Sequence, residues 1–350
     1  MKKSEQSTRP PPYLLFRWFL VIAIPAGLAA LFVWCGGWLS DRPTAQNIIS
    51  AFEATTVPRP GFRRNHAKGI CVSGYFDSNG NGAALSRASV FVPGRYPVIG
   101  RLSMPGSNPA ANDSAVPVRS FALSIALPHD EQWRVAMNSA PIFAVRTPQA
   151  LLDMLKARAR DPKTGHAEPA RIRTFLRDHP ETRAFDAWLA AHPPSSGFDN
   201  AAYYGISSFR MTSAQNVTRF VRWDVEPDAP YEPVDAKRER DPDFLAHWLI
   251  KRLAQGPVRW HWMLSAAMPG DSIDDSTQQW AESPKRERID AGVLVIEHAQ
   301  SQIDGPCRDI MFDPLMLPDG IAPSDDPLLA ARESAYQVSF NRRVREEASF

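Results

Sequence analysis

The longest apolar segment of the chain lies near its amino terminus. Residues 18–40 contain no charged side chain, and a helix of this length, at about 1.5 Å per residue, crosses a lipid bilayer. Four basic residues precede the segment, whereas one acidic and one basic residue follow it directly. The positive-inside rule therefore predicts a single-pass anchor in the inner (cytoplasmic) membrane, with a cytoplasmic amino terminus and the remaining chain on the periplasmic or outer side.

A cleaved signal peptide is the alternative for this segment. No small-x-small cleavage site follows the apolar run, and Trp34, Cys35 and Trp38 occupy the position where one is expected. We therefore favour an uncleaved anchor over a cleaved, secreted form. The predicted organisation is a cytoplasmic tail over residues 1–13, a transmembrane helix over 14–40, a linker over 41–51 and one globular domain over 52–350.

After residue 51 the hydrophobic pattern changes to short β-rich runs bounded by Gly, Pro and Asn. These runs predict strands over residues 70–76, 88–94, 96–104, 119–127, 140–145, 209–213 and 217–227. Helical spacing is found in residues 147–160, in 171–193 with a break at Pro180, and in 241–256. The pattern predicts an α+β fold, an antiparallel sheet with inserted and appended helices, and leaves both a sandwich and a barrel open.

Composition narrows the class of protein. The 350 residues are 44% hydrophobic and 22% charged, which allows a well-packed core and excludes a disordered or fibrous chain. The formal net charge of +2 provides no extended basic surface, so we expect no nucleic-acid partner. Cys71 and Cys307 could pair in an oxidising compartment, but the sequence does not bring them together. We therefore expect them to be buried free thiols.

Arg332 and Tyr336 form the first candidate chemical pair. Because they are four positions apart, both side chains lie on one face of a helix. The guanidinium stabilises the charged phenolate, and a phenolate is a suitable ligand for ferric haem iron. The alternative is an exposed helix on which the arginine stacks against the aromatic ring.

Five segments resemble, in the same order, motifs of the haem catalase family. The first, RRNHAKGICVSGYF at 63–76, is similar to the distal-histidine motif RxxHAKG followed by GYF. The last, at 312–343, contains the FDP approach and the RxxxY helix. Between them, RLS at 101–103, RSFAL at 119–123 and WRVAMNSAPIF at 133–143 are similar to the catalase RFS, RGFAV and WDLVGNNTPIF.

The resemblance implies a catalase-like antiparallel β-barrel core with inserted and C-terminal helices, preceded by one transmembrane helix. The pattern is most similar to the small catalase-related peroxidases, because it lacks the long N-terminal arm and the additional C-terminal domain of larger catalases. It also implies a haem cofactor, which we expect to be haem b. Because the arm that threads between subunits is missing, we expect a monomer or a homodimer.

The resemblance implies roles for four residues in the reaction. His66 would take a proton from the bound peroxide and return it to the leaving oxygen, Asn138 would donate a hydrogen bond to the peroxide, and Ser103 would hold the histidine ring. Tyr336 would be the axial ligand of the haem iron. The structural alternatives are a hydrogen-bonded core histidine, a turn asparagine and a serine that faces solvent.

Arginines of the same motifs are implied to hold the cofactor. Arg332 would keep the axial phenolate ionised. Three more arginines match those that meet the haem propionates, where the guanidinium fork binds carboxylates; they are Arg63, Arg101 and Arg343. Each could instead be a surface charge. Arg119 matches another motif arginine, to which we assign no role.

Three positions depart from the family motifs. Asn65 replaces a valine and makes the peroxide approach more polar, Leu151 replaces the phenylalanine that stacks on the porphyrin, and Pro117 replaces an acidic channel residue. Loss of that carboxylate weakens the alignment of the second peroxide that dismutation needs. We therefore expect a haem peroxidase that reduces hydrogen peroxide or organic peroxides with a small organic electron donor, through a ferryl intermediate. The alternatives are a catalase and a non-catalytic, membrane-tethered haem-binding protein.

Overall fold

The apolar segment near the amino terminus forms a helix, α1, over Pro12–Cys35 in the computed structural model. Its part Phe16–Cys35 is long and apolar enough to cross a membrane by length and composition, a test that a signal sequence also passes. The structure describes residues 12–35, 43–57 and 59–347, so the end of the predicted span, residues 36–40, lies outside the described residues. The chain divides into two compact units, Met1–Pro43 and Thr44–Phe350.

The second unit combines helices with a single sheet. Its helices are α2 Ala45–Ala54, α3 Pro148–Arg158, α4 Pro169–Asp178, α5 Thr182–Ala191, α6 Phe244–Leu253 and α7 Pro327–Glu347. Proline begins α3, α4 and α7, where its missing N–H costs no hydrogen bond. Thr147 caps α3 by accepting the N–H of Ala150. Helices α3 to α6 confirm the predicted helical regions, and Pro180 separates α4 from α5.

The sheet of the described residues closes into a barrel. Its strands are β1 Gly69–Ser78, β2 Gly94–Ser103, β3 Ser120–Ala126, β4 Gln132–Asn138, β5 Tyr203–Tyr204, β6 Phe209–Thr212, β7 Thr218–Pro227, β8 Val258–Ala266, β9 Arg288–Ser301 and β10 Ile321–Pro323. The order β7-β5-β4-β3-β2-β1-β9-β8 returns to β7 because β8 also pairs with β7. All pairs are antiparallel, and β6 and β10 extend the sheet from the first half of β7.

Every second side chain of a barrel strand points into the barrel, and several of these side chains are aromatic. Along β8, Val258, Trp260, Trp262 and Leu264 are buried at every second position, as expected for a strand with one face in the core. The rings of Trp133 and Trp262 lie 4.9 Å apart between centroids. The barrel is therefore a packed core, and space for a ligand has to lie outside it.

Two of the predicted strands are wrong. Residues 89–91 form a short 3-10 turn before β2, and 140–145 form no regular element. Both runs are apolar because they pack inward, as the buried side chains of Phe91 and Val145 show. A short apolar run does not by itself distinguish a strand from a buried turn.

Part of the predicted linker is also wrong. Residues 45–51 belong to helix α2, whose Ile48 and Ile49 are buried against α3 and α7. Thr44 caps this helix, since its Oγ1 accepts the N–H of Asn47 at 3.1 Å. The second unit therefore begins at Thr44 and not at residue 52.

Cys71 and Cys307 form a disulfide, which corrects the expectation of free thiols. Strand β1 carries Cys71, and the loop after β9 brings Cys307 to a Cα–Cα distance of 5.4 Å. Gly305 allows this approach, because a Cβ at that position would lie 2.6 Å from the Cys71 sulfur. The two cysteines are 236 positions apart, so only the closed barrel brings them together.

Candidate active site

One large cavity outside the barrel collects the candidate residues. It encloses about 1340 Å³ including its opening to solvent. Strands β2 to β4, helices α2, α3 and α7, and the loop at 310–312 all contribute side chains to its wall. All eight residues predicted to act in catalysis or cofactor binding line it: His66, Ser103, Asn138, Tyr336, Arg63, Arg101, Arg332 and Arg343.

The register of the sheet places polar groups side by side in the wall. Ser103 pairs with Ser120 across β2 and β3, and Ser120 pairs with Asn138 across β3 and β4, so the three side chains share one face. The Ser120 hydroxyl donates to Asn138 Oδ1 at 2.7 Å. Ala122 and Ala136 form the next pair, and these small side chains leave room for a flat ligand against the sheet.

His66 lies in a left-handed turn just before β1. Its φ is 55°, which is uncommon for a residue other than glycine. Two backbone N–H groups, of His66 itself and of Gly106, donate to Asn65 Oδ1 at 3.0 and 2.8 Å. On the ring, Nδ1 lies 3.4 Å from the Ser103 hydroxyl. The turn and the serine together fix the direction of the imidazole.

Burial and positive charge keep the imidazole neutral. Desolvation, with the nearby charges of Arg101, Arg332 and Arg63, lowers the pKa of His66 from 6.5 to about 3. The imidazole therefore has an unprotonated ring nitrogen at any pH near neutrality, while the lowered pKa also makes it a weaker base. His66 is thus a candidate proton acceptor in the cavity.

The lowered pKa of His66 predicts a flat pH profile for the step that needs this base. We expect the second-order rate of reaction with hydrogen peroxide, measured by stopped flow, to stay constant from about pH 8 to about pH 5. Protonation would reduce the rate only near the lowered pKa, since the base has to be unprotonated. A fall of about tenfold between about pH 7.5 and pH 5.5 would indicate a histidine with an ordinary pKa and contradict this account.

Helix α7 supplies the wall that carries the phenol. Arg332, Tyr336, Ser339 and Arg343 follow one another at helical spacing, and all four line the cavity. The helix packs against α2 and α3, which fixes this face toward the cavity. The predicted one-turn separation of Arg332 and Tyr336 is confirmed.

Three arginines at the cavity wall are held by backbone carbonyl groups. Arg63 Nη2 donates to the carbonyls of Cys307, Arg308 and Ile310 at 3.1, 3.2 and 2.8 Å. Arg343 donates to the carbonyl of Arg308 at 2.6 Å. Arg101 donates to Gln302 Oε1 and to the carbonyl of Ala67, while its buried Nε has no partner among the described residues. Carbonyl oxygens orient these guanidinium groups without neutralising them, and Arg343 also lies 3.8 Å from the carboxylate of the exposed Asp309.

The cavity wall has an excess of positive charge. Its lining residues include four arginines and no aspartate or glutamate. Burial, with the charge of Arg343, lowers the pKa of Arg63 to about 10, which still leaves it charged at neutral pH. Buried cations of this kind need an anionic partner. A flat, dianionic, iron-binding group such as haem fits the arginines, the phenol and the alanine pair.

The Cys71–Cys307 disulfide supports this arginine cluster. Cys307 belongs to the loop whose carbonyl groups hold Arg63 and Arg343, and its N–H also donates to the Cys71 sulfur at 3.2 Å. The bond thus fixes the loop to β1, the strand that follows the His66 turn.

Replacing both bonded cysteines with serine is expected to lower the free energy of unfolding by about 3–5 kcal/mol, because the bond closes a very long loop. Denaturant unfolding of the full chain measures the loss. Cys35→Ser is the matched control, since Cys35 is an exposed free thiol. An unchanged denaturation midpoint for the double variant would show that the bond does not stabilise the fold.

The structure also assigns positions to residues whose roles were left open. Arg119 is fully buried away from the cavity, donates to the carbonyl of Val116 at 2.6 Å, and is a structural residue. Leu151 lines the cavity, as its place in the motif suggests. Ser120 and the side chains of α2 also line the cavity and are not among the residues predicted from the sequence. The Thr44 cap before an apolar helical run was the signal for α2.

The sequence profile described as Catalase matches residues 39–348. The chain belongs to the catalase family. A catalase-related peroxidase of Synechococcus elongatus is 33% identical to it over 94% of this chain and 97% of the relative's length. A second catalase-related peroxidase, of Mycolicibacterium paratuberculosis, is 31% identical over 87% of this chain and 96% of its own length.

Solved catalase structures share the fold of this catalase-family chain. A fungal catalase has a TM-score of 0.73 at 18% identity and covers 82% of this chain and 60% of its own length. A bacterial catalase has a TM-score of 0.72 at 20% identity, covering 82% and 58%. The chain thus spans about 60% of the length of these catalases. The predicted catalase-like barrel with helices is confirmed.

Proposed function

We propose that the chain is a haem-dependent peroxidase that reduces hydrogen peroxide or organic peroxides with a small organic electron donor. Its family membership and its similarity to catalase-related peroxidases make it an oxidoreductase that acts on peroxide. The main support for this proposal is that His66, Asn138 and Tyr336 line the same cavity as four arginines.

The residues of the cavity fit the cofactor that catalase-family proteins bind, which is haem. Bound haem, proposed to be haem b, would supply a ferric iron that takes up the peroxide oxygen and exchanges electrons. Tyr336 would ligate the iron through its phenolate, and Arg332, one turn away, would stabilise that negative charge. The propionates would bind the other arginines of the cavity, which are Arg63, Arg101 and Arg343.

His66 and Asn138 would perform the proton and hydrogen-bond chemistry. The neutral imidazole would take the proton from one peroxide oxygen and return it to the other as that oxygen leaves, forming water or an alcohol. Asn138 would donate from Nδ2, because its Oδ1 accepts the Ser120 hydroxyl. Ser103 would hold the imidazole ring through Nδ1. The ferryl intermediate expected from the sequence stays a prediction.

One position favours a peroxidase over the alternative of a catalase. Pro117 stands where the catalase motif has an acidic residue. Without the acidic group a second peroxide is held less well as reductant, whereas a small organic donor needs no such alignment. The presence of both His66 and Asn138 also argues against a haem-binding protein without turnover.

The ratio of two reactions tests this proposal. The full chain, purified with haem supplied, is mixed with hydrogen peroxide with and without a reducing dye. We expect dye oxidation to exceed oxygen release. Vigorous oxygen evolution with little dye oxidation would instead establish the catalase alternative, and neither reaction would indicate haem binding without turnover.

We further propose that α1 anchors the chain in the inner membrane with the haem domain on the periplasmic side. The Cys71–Cys307 disulfide supports an oxidising compartment. Protease added to intact spheroplasts should digest the haem domain while the cell membrane stays closed, and a haem domain fully protected from the protease would contradict a periplasmic location.

We expect the protein to be a monomer or a homodimer.

A further inference from the structure

A second amide group lies beside His66 in the cavity wall. Asn65 lines the cavity, and its Oδ1 accepts the backbone N–H groups of His66 and Gly106. A backbone N–H can only donate, so the oxygen end of this amide faces the turn. The Nδ2 end points away from it and makes no hydrogen bond to any residue of ranges 12–35, 43–57 and 59–347.

We infer that Asn65 is a further binding residue of the cavity: its Nδ2 donates a hydrogen bond to a small oxygen-containing or halide ligand bound on the His66 side. The inference rests on the proposed function, because the ligand would sit on the haem iron. The corresponding catalase motif has a valine before the histidine, which offers no donor. This chain therefore has an additional polar group where its family motif is apolar.

The cavity that Asn65 lines would strengthen a hydrogen bond from its Nδ2. Most of the cavity lining is apolar, including Phe143, Met137 and Ile206. A hydrogen bond in such surroundings is stronger than the same bond in water. The two bonds to Oδ1 also fix the amide before a ligand arrives, so little freedom is lost on binding. We expect preference for small, polar peroxides over bulky, apolar ones.

Fluoride titration of the haem-loaded ferric protein tests the inference. Fluoride binds ferric iron and accepts hydrogen bonds, and its affinity is read from the absorption spectrum. Asn65→Leu keeps the size of the side chain without its polar groups, whereas Asn65→Asp keeps an oxygen for the turn without the N–H donor. Asn108→Leu is the matched control, because this exposed asparagine accepts a backbone N–H of Ala110 outside the cavity.

We expect Asn65→Leu and Asn65→Asp each to weaken fluoride binding about tenfold, and Asn108→Leu to leave it unchanged. In the haem-free protein we expect Asn65→Leu to lower the melting temperature and Asn65→Asp to leave it unchanged, because only aspartate keeps an oxygen that accepts the two backbone N–H groups. A loss of fluoride affinity without a loss of stability is then an effect on the cavity and not on the turn. Fluoride affinity within twofold of wild type for either Asn65 variant would overturn this inference and leave the proposed function unaffected. A wild-type chain that takes up no haem would overturn the proposed function as well.

Discussion

Replacing Tyr336 with phenylalanine is expected to remove most of the bound haem. The substitution keeps the ring that packs in the cavity wall and deletes only the oxygen that would ligate the iron. The arginines proposed to bind the propionates would still attract the porphyrin, but without a protein ligand the iron would be held by these contacts alone. We expect haem per chain to fall at least about tenfold, since loss of one metal ligand commonly costs more than loss of a supporting contact.

Haem content is measured by absorption after purification with haem supplied, together with the melting temperature of the haem-free protein. Tyr231→Phe is the matched control, because this exposed tyrosine donates to the carbonyl of Pro193 outside the cavity. Full haem content and normal activity in Tyr336→Phe would show that another residue ligates the iron.

Removal of the imidazole of His66 is expected to have the second large effect. His66→Ala should retain haem and slow the reaction with hydrogen peroxide by about 10²- to 10⁴-fold, the usual contribution of a positioned general base. His66→Asn should behave in the same way, because asparagine tolerates a positive φ but cannot take the proton. Stopped-flow mixing with peroxide measures the rate.

The histidine variants need a control for general damage. His298→Ala removes an exposed histidine on β9, outside the cavity, and should react at the wild-type rate. Haem content and melting temperature are compared first. A His66→Asn protein that binds haem normally and still reacts quickly would show that the proton is transferred elsewhere.

The eight cavity residues could be predicted because their segments resemble catalase motifs, whereas the spacing alone pointed only to Arg332 and Tyr336. Helices such as α3 could be predicted as well, since Thr147 and Pro148 mark its start. The disulfide could not be predicted, because the approach of Cys71 and Cys307 depends on closure of the barrel and on the loop around Gly305. The orientation of Asn65 likewise depends on Gly106, which is 41 positions away.

Errors in the predicted elements have a common physical cause. The apolar residues Val90 and Phe91 of the first wrongly predicted strand, and Ile142 and Val145 of the second, are buried without pairing in a sheet. Similarly, residues 45–51 of α2 fall in the predicted linker, although Ile48 and Ile49 form part of the cavity wall. Hydrophobicity reports burial, whereas the element type depends on partners that the sequence does not place.

The most direct test of the account is the absorption spectrum of the full chain purified with haem supplied. We expect about one haem per chain and a high-spin ferric spectrum of the tyrosinate type, which changes on addition of hydrogen peroxide and returns when an organic donor is added. A well-folded, colourless protein that takes up no haem would contradict it.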